Sequence, residues 1–110
     1  INKMLQKLKE IKPKEIIEGY FGKFFHGKNM TIAFWNVKKN SKIPKHNHVH
    51  EQCLYVKKGS FKLMMDGKTM KVNENELVFI PSKKPHAGVA ITDCELIDIF
   101  SPNRTEYSNS

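Results

Sequence analysis

The sequence predicts an all-β fold, a small sandwich or barrel of about eight strands. Three observations carry that prediction. Apolar-rich runs of about five to eight residues recur from residue 19 to residue 100, separated by Gly, Asn, Asp, Ser and Pro. Asp66-Gly67 lies between two such runs, and a two-residue Asp-Gly loop matches the twist of a tight hairpin. At 110 residues the chain is long enough for one compact core, so a single domain is expected.

In chain order, residues 1–18 read as an N-terminal arm or short helix. Met4, Leu5, Leu8 and Ile11 have helical spacing, and Pro13 interrupts it. The barrel is expected to occupy residues 19–110. Strands are predicted at 19–26, 30–37, 52–56, 60–65, 68–72, 76–80, 86–91 and 95–100. Gly27-Lys28-Asn29, Lys38-Lys39-Asn40-Ser41, Lys58-Gly59 and Pro81 mark turns between them. The tail at 101–110 is polar and is expected to fray at its end. Tyr20, Phe21, Phe24, Phe25, Phe34 and Trp35 crowd the first two strands, either as core or as a surface for self-association.

Composition narrows the function classes. The net charge is +8, but the lysines are spread along the whole chain in pairs at most. No basic stripe or nucleic-acid motif accompanies them, so a lysine-solvated surface is expected, one compatible with acidic small molecules. No apolar run approaches the roughly 20 residues of a membrane helix. The lysine-rich start is unlike a secretory leader, so the expected location is the cytoplasm, with no membrane or nucleic-acid partner. Cys53 and Cys94 match no metal or redox spacing, and two buried free thiols are expected.

The chemistry concentrates in residues 44–52, where His46, His48 and His50 alternate and Glu51-Gln52 follows. Histidine is the commonest metal ligand, and residues two apart on a strand share a face. His46 and His48 therefore form a candidate pair. Gln52 lies on the same face, and His86 follows a second proline-punctuated turn. Three imidazoles and an amide oxygen make a site that leaves positions open for water or substrate. Parity puts His50 on that face too, but a supporting role is expected for it, and a surface or interface role for Glu51. Asp98 stands in an otherwise apolar run; if Leu96 and Phe100 face inward, Asp98 does as well. It is then either bonded to a neighbouring strand or an acid–base group facing a cavity. Arg104 is the only arginine, and its planar fork suits a carboxylate.

Two blocks of the chain resemble the cupin superfamily. His46-x-His48, three residues, Gln52, six residues and Gly59 is similar to the first cupin block. Pro81 through His86 is similar to the second. The resemblance covers roughly residues 19–104 and implies a double-stranded β-helix, a jelly-roll barrel with a metal inside its mouth. The pattern departs at Gln52, where glutamate is usual. A neutral amide leaves the full charge of a divalent ion, which favours Lewis-acid work on an anionic ligand.

More narrowly, His-x-His-x-His-Glu-Gln and the later Asp-x-Phe-Ser-Pro-x-Arg resemble the KdgF-like cupins of pectin and alginate breakdown. Those enzymes take 4,5-unsaturated uronate monosaccharides toward the linear keto form. The resemblance implies His46, His48, Gln52 and His86 as ligands of a divalent ion (Ni, Zn, Mn or Fe). It implies Asp98 and Arg104 as the catalytic pair, and Phe100 with Arg104 against a carboxylate-bearing sugar. It also implies a homodimer. The alternatives are an Fe(II)-dependent dioxygenase and a non-catalytic sugar- or small-molecule-binding cupin.

Overall fold

The computed structural model describes residues 4–107. Among these residues ten strands form two antiparallel sheets. In chain order the strands are β1 Lys14–Ile17, β2 Tyr20–His26, β3 Thr31–Val37, β4 Lys42–His46 and β5 Glu51–Lys58. They continue as β6 Phe61–Met65, β7 Lys68–Val72, β8 Leu77–Ile80, β9 His86–Ala90 and β10 Cys94–Ser101. One sheet has six strands in the order β1-β2-β3-β10-β5-β8; the other has four, β4-β9-β6-β7. All eight expected strands are present, and the architecture is the expected jelly roll.

Alternation decides what faces the core. Leu96, Asp98 and Phe100 of β10 point inward, as do Ala33 and Trp35 of β3 and Gln52, Leu54 and Val56 of β5. The four-stranded sheet contributes Phe61, Leu63 and Ala90 across from them. At the β6–β7 hairpin Met65 pairs with Lys68, and Asp66 and Gly67 both take positive φ (56° and 69°), as a two-residue loop with matching twist requires. Gly22 on β2 is needed for a different reason. A Cβ there would lie 2.7 Å from the Trp35 ring and 2.6 Å from Phe24, so the missing side chain is the space the indole occupies.

Four features differ from expectation. The helical spacing of Met4 to Ile11 yields only a single 3₁₀ turn, Leu8–Glu10. Pro13 supplies no N–H and disfavours a helical Lys12, and Ile11 is already extended, so the chain leaves the turn and enters β1 instead. Ile11 is buried, and Ile16 and Ile17 pack against the core. β4 went unpredicted because Pro44 sits inside it. As an edge strand β4 tolerates the lost donor. Cys94 is buried and donates its thiol to the Ser60 carbonyl, but Cys53 is only half-buried, because its parity on β5 turns it outward. The aromatic crowd on β2 and β3 divides, with Tyr20, Phe24 and Trp35 in the core and Phe21, Phe25 and Phe34 on the outer face. Residues 1–3 of the expected arm and 108–110 of the expected fraying tail lie outside the described residues.

Candidate metal centre

His46 closes β4 and His86 opens β9, and the two are direct cross-strand partners. His48 is not on a strand. β4 ends at His46, and the chain bends through residues 47–50 before β5, so a bend rather than strand parity brings His48 to the others. The His48 carbonyl accepts from the Lys83 amide at 2.7 Å, which fixes the bend to the turn preceding β9. One ring nitrogen from each of His46, His48 and His86 lies within 4.8 Å of the others.

The backbone sets which nitrogen is available. His46 Nδ1 donates to the Pro44 carbonyl (2.9 Å), His86 Nδ1 to the Lys84 carbonyl (2.8 Å) and His48 Nδ1 to the His50 carbonyl (3.0 Å). A carbonyl only accepts, so each Nδ1 carries the proton and each Nε2 presents a lone pair. Gln52 Nε2 donates to Asp98 Oδ1 (2.8 Å), which leaves Gln52 Oε1 facing His48 Nε2 at 3.1 Å. Two acceptors at that separation repel unless a cation lies between them. The donor set therefore fits a divalent ion held by three imidazoles and one amide oxygen, each imidazole oriented by a backbone carbonyl. Burial lowers the pKa of His48 to about 4 and, with it, the nearby Arg104 charge; the His86 pKa is also lowered, again chiefly by burial. Neutral imidazole is the form a metal needs.

His50 lies beside the three-histidine group and not in it. Its carbonyl orients His48, and its own Nε2 donates to the Asn103 carbonyl (3.2 Å). Asn103 in turn donates to Gly27, and the Arg104 amide donates to Thr31 Oγ1, so this strap ties the C-terminal segment across the barrel.

A cavity of about 40 Å³ runs inward from His46, Gln52 and His86 to Tyr20, Trp35 and Leu96. Asp98, Phe100 and Arg104 also line it. Asp98 is 7 % exposed, and both its oxygens are bonded, Oδ1 by Gln52 and Oδ2 by Trp35 Nε1 at 3.0 Å. Burial raises its pKa to about 6, against the two hydrogen bonds and the Arg104 charge, which pull the other way. Asp98 is therefore bonded to both neighbouring strands and also lines the cavity. The Arg104 guanidinium lies over the rings of Phe100 (4.8 Å) and Tyr107 (4.4 Å). Its Nε and Nη2 both donate to Glu106 Oε2, at 3.0 and 2.9 Å. Partial burial alone would raise the Glu106 carboxyl. The hydrogen bond from its own backbone and the Arg104 charge outweigh that and hold it below its ordinary pKa.

Sequence reasoning did not single out Trp35, Tyr20, Glu106 or Tyr107 for the site. For Trp35 the parity of β3 was a usable signal, since it shares a face with Ala33. Glu106 and Tyr107 sit on a short 3₁₀ turn, Thr105–Tyr107, whose return over the barrel mouth no local pattern announces.

A barrel of two antiparallel sheets with a three-histidine cluster at one end defines a small metal-site jelly roll. Residues 33–100 match the family model of the cupin domain, and the chain belongs to that family. Among solved structures it is similar to KdgF from Halomonas sp. (24% identity, TM-score 0.84, covering 89% of this chain and 94% of that one). It is also similar to an RmlC-like cupin from Shewanella frigidimarina (23%, TM-score 0.90, 96% of each chain). A third is a predicted oxalate decarboxylase from Thermotoga maritima (18%, TM-score 0.79, 90% and 99%). At these identities the likeness is one of fold. No curated protein sequence matches the chain. Among the described residues no helix is long and apolar enough to cross a membrane.

Proposed function

We propose that this cupin opens 4,5-unsaturated uronate monosaccharides to the linear keto form. One observation carries the reading. A buried carboxylate, Asp98, whose pKa burial raises to about 6, shares one cavity with His46 and His86, two of the three convergent histidines, and with Arg104. The resemblance of residues 46–52 and of the segment Asp98 to Arg104 to the KdgF-like cupins supports the choice of substrate.

A divalent ion (Ni, Zn, Mn or Fe) held by His46, His48, His86 and Gln52 would supply positive charge to substrate oxygens and to a developing enolate. Arg104 gives the substrate carboxylate a planar two-point contact, in exchange for Glu106. Phe100 forms the wall beneath the guanidinium. Asp98, as carboxylate, takes the proton of the C1 hydroxyl while the bond from C1 to the ring oxygen breaks. C1 becomes an aldehyde and the ring oxygen, now carried by C5 alone, an enolate. Asp98, now protonated, delivers that proton at C4 as the enolate closes to a C5 ketone. The reaction is an isomerisation with no net gain or loss of protons. A pKa near 6 suits a group that must both accept and donate.

The test is incubation of the metal-loaded chain with 4,5-unsaturated monouronates from pectate or alginate. Loss of the ultraviolet absorbance of the conjugated double bond should run faster with protein than without. NMR of the product should show the linear keto acid, and an oxygen electrode should show no uptake. A rate equal to spontaneous opening would refute the proposal. Oxygen consumption by the iron-loaded protein would point instead to a dioxygenase.

A further inference from the structure

Tyr20 is the first residue of β2 and faces inward, 2 % exposed. Its ring meets Trp35 edge-on, with centroids 6.0 Å apart and an interplanar angle of 81°. Its hydroxyl is buried and has no hydrogen-bond partner among the described residues. Two other buried polar atoms share that condition, His26 Nε2 and His50 Nδ1, but neither residue lines the cavity, and Tyr20 does. An unpaired buried hydroxyl is costly, and phenylalanine would fill the same volume without the cost. Burial, then the nearby Asp98 charge, raise the Tyr20 pKa well above its ordinary value, so the proton stays on and the hydroxyl is a donor. Tyr20 and Asp98 line the same cavity, and the hydroxyl is not bonded to the carboxylate. A ligand oxygen in that cavity would accept from Tyr20.

We propose that the Tyr20 hydroxyl is a specificity-determining substrate contact at the inner end of the cavity, taking an oxygen of the ligand remote from the carboxylate that Arg104 holds. The ligand is then a polyhydroxylated acid rather than a simple carboxylate. For that ligand class the inference rests on the function proposed above.

The experiment compares wild type with Tyr20→Phe, both metal-loaded, by calorimetric titration with D-galacturonate and with acetate, and by thermal melting. The variant should bind galacturonate about tenfold more weakly, the loss of one neutral hydrogen bond. It should bind acetate as wild type does, and melt at the same or a higher temperature. Equal galacturonate affinity overturns the proposal. So does an equal loss for acetate, a lowered melting temperature (which would mean the hydroxyl has a structural partner), or a wild-type chain that does not bind galacturonate. A chain that fails to open unsaturated uronates but shows the tenfold, galacturonate-selective loss would refute the proposed reaction and leave the Tyr20 contact standing.

Discussion

Asp98 accepts from the Trp35 indole on one oxygen and from the Gln52 amide on the other. Asp98→Asn keeps the shape and removes the charge. Turnover of an unsaturated uronate should fall about 10²–10⁴-fold, the usual worth of a placed proton-transfer group. The variant offers one acceptor to two donors, the Gln52 amide and the Trp35 indole, so metal affinity should fall by at most about 10–100-fold, as for other groups that orient a ligand. Elemental analysis of the variant beside its kinetics separates the two effects. His48 carries a second residue-level prediction. In the metal-free protein burial keeps it neutral, so its ring resonances should not titrate until the pH nears 4, well below the ordinary value of 6.5. Because the folded pKa is the lower one, the stability it contributes is full above 6.5 and is lost as pH falls toward 4. An NMR titration midpoint near 6.5 would contradict the burial argument. His46, His48, Gln52 and His86 were legible from spacing because these residue types are informative wherever they cluster. The reason they converge was not. It lies in the carbonyls of Pro44, Lys84 and His50, and backbone acceptors leave no trace in residue identity.

At the scale of elements, β2 and β3 fit together through one missing side chain. Gly22→Ala places a Cβ against Trp35 and Phe24, and should destabilise the fold by about 1–3 kcal/mol, measured by chemical denaturation. It should also move the indole off Asp98, so activity should fall more than stability alone explains. The Thr105–Tyr107 turn acts differently, because its Glu106 occupies the Arg104 donors that the proposed reaction assigns to substrate. Glu106→Gln should lower KM for the carboxylate substrate several-fold with little change in kcat. An unchanged or raised KM would mean that Glu106 positions Arg104 rather than competes for it. Strands with alternating apolar residues and Gly or Pro stops, such as β3, β6 and β10, were readable from sequence. β1 and β4 were not, because one opens on charged residues and the other contains proline. Each is an edge strand whose pairing is imposed by a neighbour.

Over the whole molecule, the six-stranded sheet has an inner face that holds the site and an outer face that is largely apolar. Across that outer face Phe25, Ile32, Ile99, Cys53 and Phe79 form one cross-strand row, and Phe34, Ile97, Tyr55 and Leu77 another. Leu77 and Phe79 are 64 % and 58 % exposed. Ile99 beside them is 44 % exposed, and we propose that a second copy of the chain covers these three side chains. Light scattering after size-exclusion chromatography should report two chains, and Phe79→Lys should yield monomers that retain the metal. A monomeric wild type would remove the face from the account.

The central claim is that three Nε2 lone pairs and one amide oxygen converge on a divalent ion. Elemental analysis of the purified chain, dialysed at neutral pH against limiting metal, tests it most directly. The account predicts one divalent ion per chain in the wild type, and its loss in His48→Ala and in His86→Ala with the fold intact by circular dichroism. A folded wild-type chain that takes up no metal, or variants that hold it as tightly as wild type, would contradict it.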